Sequence, residues 1–107
     1  MLRSIKALTG YRLEASDGEI GRCKDFLLDE RHWAIRYMVA DTGKWLPGRK
    51  VLVAPDWIET MQWAQGRVKV ALTRDAIKGS PEYDPADPVN RGYEERLYNY
   101  YGRPFYW

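Results

Sequence analysis

The sequence has a single cysteine, Cys23, and a single histidine, His32, among 107 residues. One cysteine excludes an intramolecular disulfide, and a lone cysteine within a β-favouring run reads as a small packed hydrophobe. A Cys-His nucleophilic pair would need Cys23 on a strand to meet His32 in the turn "DERH", and nothing in the spacing supports that. No run of 18 apolar residues is present, and the start "MLRSIKALTG" lacks the apolar core of a signal peptide. The expected product is therefore the whole chain, in the cytoplasm, without direct membrane insertion. There is no block of one charge either. Seventeen cations and fifteen anions interleave to a net +2, too little to steer a charged partner from a distance. The arginines and tyrosines could grip phosphates and stack on bases, but acids sit among the arginines throughout, so a nucleic-acid partner is not expected.

What is abundant is aromatic: five tryptophans, eight tyrosines and two phenylalanines, in a chain long enough for one hydrophobic core. From Tyr11 to Leu72, short β-favouring runs alternate with turn signals. "YRLEA" turns through "SDGE" into "IGRCKDFLLD", where three-residue spacing of Ile20 and Cys23 predicts a bulge at Gly21. "WAIRYMVADTG", "KVLVAP", "WIETMQW" and "RVKVALT" follow. Six short antiparallel strands with brief turns predict a small barrel or rolled sheet. One buried face is expected to hold Leu13, Ile35, Tyr37, Val39, Val51, Val53, Val68, Val70 and Leu72.

"TGKWLPG" could cradle an anion, with Gly43 and Gly48 admitting close backbone approach. No helix start follows it, however, as a phosphate loop requires. The expectation is a structural turn: Gly43 and Gly48 in turn conformations, Trp45 packed over a barrel end, Lys44 solvated, and Arg49 pairing a carboxylate or capping carbonyls. Asp25, Asp29, Asp41 and Asp56 lie at or near strand ends, where gathered oxygens could bind a hard cation. The plainer reading is that each accepts backbone N–H bonds in a turn.

"TRDAIKGSP" carries helix punctuation, with Thr73 as N-cap, Asp75 in the first turn and Gly79 at the end. "EYDPADPVN" is an extended connector. "RGYEERLYNYYGRPFYW" then places Tyr93, Leu97 and Tyr100 or Tyr101 at helical spacing, stops at Gly102 and Pro104, and ends on Phe105, Tyr106 and Trp107.

The order "DGEIGRCKDFLLDE", "WAIRYMVADTGKWLPGRKVLVAP", "VALTRDAIKGSPEYDP" and "YYGRPFYW" resembles the PRC-barrel family, named for the cytoplasmic domain of the photosynthetic reaction centre H subunit. A related barrel forms the C-terminal part of a ribosome maturation protein. Cys23 departs from the pattern, standing where a branched aliphatic is typical. The resemblance implies an all-β fold over residues 1–80, with a short helix and an aromatic extension over 81–107 that packs on the barrel or on a partner subunit. It also implies a non-catalytic docking module with no catalytic residue, metal or cofactor. Relatives often carry two barrels, so a second copy of this chain is a natural partner. Tyr98, Tyr100, Tyr101, Arg103, Phe105, Tyr106 and Trp107 are the candidate interaction residues of a homodimer. The alternative is an accessory factor for a ribonucleoprotein or a membrane-bound electron-transfer complex.

Overall fold

The computed structural model describes residues 2–4, 10–43, 49–87 and 89–107. Seven strands make one sheet: β1 Leu2–Ser4, β2 Arg12–Ala15, β3 Gly18–Asp29, β4 Ala34–Asp41, β5 Lys50–Val53, β6 Ile58–Gln62 and β7 Arg67–Val70. The strand order is β5-β4-β3-β2-β7-β6, with β1 added to β3. The twelve-residue β3 is the spine. One of its edges pairs with β4, and the other pairs first with β2 and then, at Leu27 to Asp29, with β1.

Two expectations change here. The sheet is mixed, because β2 and β7 run parallel. It is also open, since no ladder joins β5 to β6 among the described residues. It is nonetheless rolled. β5 and β6 occupy opposite ends of the strand order, yet only residues 54–57 connect them. A flat sheet of six strands would separate its edges by about 24 Å, whereas five residue steps reach about 18 Å at most. The sheet must curl, and Pro55–Trp57 close the gap as one 3-10 turn with Trp57 buried.

Bulges set which side chains face inward. In β3 an extra residue at Ile20 lies beside Gly21, whose φ is 137°. Any Cβ on Gly21 would overlap the Asp41 carbonyl oxygen, so this position needs glycine for close approach as well as for conformation. A second bulge, at Arg36, is seen in the register: Leu27 pairs with Tyr37 but Leu28 with Ile35. This resets the alternation expected of β4. Tyr37 and Val39 are buried, whereas Ile35 is 37% exposed and does not belong to the core. The remaining predicted core residues are buried, but on two faces instead of one. Val39 pairs with Leu52, while Ala40 and Met38 pair with Val51 and Val53, so alternation puts Val51 and Val53 on the face opposite Tyr37 and Val39.

The face that carries Tyr37 is covered by helix. Helix α1, Arg74–Lys78, is capped by the Thr73 side chain, which accepts from the Ala76 amide. The Arg74 amide donates to Asp17, tying the helix to the β2–β3 hairpin. Helix α2, Arg91–Tyr101, begins with Asn90 accepting from the Tyr93 amide and ends at Gly102, whose φ of 64° suits a left-handed cap. The Arg103 amide then donates to the Tyr98 carbonyl, turning the chain back so that Phe105, Tyr106 and Trp107 return to Tyr98. Leu97 and Tyr98 are buried in the core, and Tyr98 and Tyr101 pack on Trp57 at 5.3 and 4.8 Å between ring centroids. Among the described residues no helix is long and apolar enough to cross a membrane.

Candidate functional site

Part of the glycine-rich turn after β4 is described. Gly43 takes a left-handed φ of 65°, and its amide donates to Asp41 at 2.9 Å. Arg49 caps a carbonyl, donating to Ser80 through Nη2, and its own carbonyl accepts from Thr42 Oγ1. Lys44, Trp45 and Gly48 lie outside the described residues.

The four aspartates stay apart. Asp25 accepts from the Phe26 amide, Asp29 from Arg31 and Asp41 from Gly43, while Asp56 is the middle residue of the 3-10 turn before β6. Among the described residues no three of His, Cys, Asp and Glu group as a metal site requires. Cys23 is buried with its thiol pushed up to about 11 by desolvation, which holds it in the unreactive protonated form.

The chain does bring together a charged and aromatic cavity of about 560 Å³ that no local motif announces. Its floor is the β3–β4 turn. There the Asp29 carboxylate accepts from the Arg31 amide at 2.9 Å, engages His32 Nδ1 at 2.9 Å and accepts from Arg36 Nε at 3.2 Å. The His32 contact, then the amide and Arg36 bonds, hold the Asp29 carboxyl well below the usual carboxylate range against the opposing effect of desolvation. The opposite wall is the start of α2. Glu94 is buried there, receiving the Tyr37 hydroxyl at 2.5 Å, with Arg91 3.9 Å away. Burial, and then the Glu94 bond, push the Tyr37 hydroxyl far above its ordinary value, so it remains a donor.

The tail forms the third wall by stacking. The Arg36 guanidinium lies 4.3 Å over the Tyr106 ring, and the Arg91 guanidinium 3.8 Å over Trp107. Trp107 in turn stacks on Phe105 with centroids 4.5 Å apart and planes 6° from parallel. Cation and ring faces attract, and each contact restrains a long side chain that would otherwise sample many rotamers.

The seven candidate interaction residues divide. Tyr98 is buried within its own chain, and Tyr101, Arg103 and Tyr106 are partly buried, Arg103 donating to the Ala71 carbonyl. Tyr100, Phe105 and Trp107 remain exposed. Trp33, which sequence reading passed over, is 76% exposed with a left-handed φ of 51°, in the same turn that supplies Arg31 and His32 to the cavity. An aromatic residue without a turn-forming side chain rarely adopts that conformation, so strain and exposure coincide at this tip. No protein-family model matches the chain, and a search of curated proteins found no match.

Proposed function

We propose that this chain is a non-catalytic, cytoplasmic docking module of the PRC-barrel kind, and that it self-associates as a homodimer through the tail. The observation that carries this reading is the Phe105–Trp107 stack. The two rings lie parallel yet stay 42% and 46% exposed, braced from beneath by Tyr98 at 5.9 and 5.7 Å. Rings fixed in this way lose little further freedom when a partner covers them, which favours binding over loose apolar contact. A twofold arrangement lets each copy shield the other's stack and stands in for the second barrel of two-barrel relatives.

The test is the double variant Phe105→Ser/Trp107→Ser. The expected result is weaker self-association with the melting temperature within a few degrees of the parent. Association unchanged in the double variant would remove the tail from the interface. A monomeric parent that binds RNA with a steep salt dependence would favour the accessory-factor reading instead.

A further inference from the structure

Three arginines from three separate elements line the cavity: Arg31 from the β3–β4 turn, Arg36 from β4 and Arg91 from the first position of α2. Each guanidinium carries five N–H donors. Among the described residues only one of those donors makes a hydrogen bond, Arg36 Nε to Asp29. Arg91 stands 3.9 Å from Glu94, an ion pair beyond hydrogen-bond length. The two acids of the wall already have donors of their own, Asp29 from the Arg31 amide and Glu94 from Tyr37. The cavity therefore sets three guanidiniums against two carboxylates, with most guanidinium N–H groups bonded to no protein atom among the described residues, around a space of about 560 Å³, within the range of small-molecule sites.

We propose that this cavity binds a phosphate monoester, its phosphoryl group held among Arg31, Arg36 and Arg91 and its organic part lying along Tyr106 and Trp107. Three planar forks approaching from different elements suit the several oxygens of a tetrahedral dianion. A carboxylate offers two oxygens in one plane, which a single fork can occupy. Two of the three forks are placed in advance, Arg36 by its stack on Tyr106 and Arg91 by its stack on Trp107, so less ordering remains for the ligand to impose. The proposal does not depend on self-association.

The test is an NMR titration of the full chain with phenyl phosphate, inorganic phosphate and sulfate, following the amides of Arg31, His32 and Arg91 and the Trp107 indole. Phenyl phosphate is expected to shift these signals with a Kd below about 10 mM, more tightly than inorganic phosphate, while sulfate binds least. Arg31→Ala, whose side chain has no partner to lose among the described residues, is expected to weaken binding about tenfold or more with melting unchanged, and Arg31→Ala/Arg91→Ala to weaken it further. Co-sedimentation with phosphatidic acid vesicles but not phosphatidylcholine vesicles would assign the phosphoryl group to a lipid. Binding of the soluble ester alone would assign it to a metabolite, and either source supports the site. Absence of shifts at these residues, equal affinity for sulfate, or unchanged affinity in both variants would overturn it.

Discussion

The Tyr37 hydroxyl donates to the Glu94 carboxylate at 2.5 Å, fastening the middle of β4 to the first turn of α2 across 57 positions of sequence. Both residues are buried, so the bond forms where water cannot replace it. Tyr37→Phe keeps the ring contacts with Tyr98 and Tyr106 and removes only the donor. The expected cost is about 1 to 3 kcal/mol in urea unfolding, the penalty for a buried acceptor deprived of its partner. A variant within about 0.3 kcal/mol of the parent would show that the bond contributes little, since exposed substitutions stay within about 0.5 kcal/mol.

Alkali should unfold the protein through its tyrosines. Burial raises Tyr37, Tyr93, Tyr98 and Tyr101, the last to about 12. In the unfolded chain a tyrosine ionises near pH 10. Above that pH the unfolded state releases protons that the folded state keeps, so the stability present below about pH 10 is lost as pH rises towards 12. Asp29 has the opposite sign, its contribution being present above the ordinary carboxylate range and lost as pH falls below it. Tyrosinate absorbance at 295 nm, followed with circular dichroism, should show the buried tyrosines ionising together with loss of structure. All eight titrating smoothly near pH 10 with the dichroism unchanged would contradict this account.

Much of the fold is legible in the sequence because it is written in local signals. The six strands from β2 to β7, the bulge beside Gly21, the Thr73 cap and the Gly102 stop each depend on residues a few positions apart. What escapes is non-local. Arg36 looks like an ordinary outward residue of an alternating strand, and only the β3 register shows that it is a bulge that moves Ile35 to the surface. Glu94 reads as a solvent-facing helix residue until Tyr37 is brought over it. The parallel pairing of β2 with β7 has no sequence mark at all. The cavity is less legible still, since Arg31, Arg36 and Arg91 come from three elements and share no spacing.

Trp33 offers a test of backbone strain at the β3–β4 turn. Its left-handed backbone favours glycine by about 1 kcal/mol. Trp33→Gly should therefore raise or at least preserve the melting temperature, because the 76% exposed ring contributes little burial. A melting temperature lowered by several degrees would mean that the ring packs in the folded protein after all.

The central claim is that the exposed aromatic stack is covered by a second copy of the chain, and sedimentation equilibrium of the full-length protein tests it most directly. With Phe105 and Trp107 stacked and exposed, the account predicts a reversible monomer–dimer equilibrium that is mostly dimer at high micromolar concentration. The mass of a single 12.6 kDa chain throughout that range would contradict it.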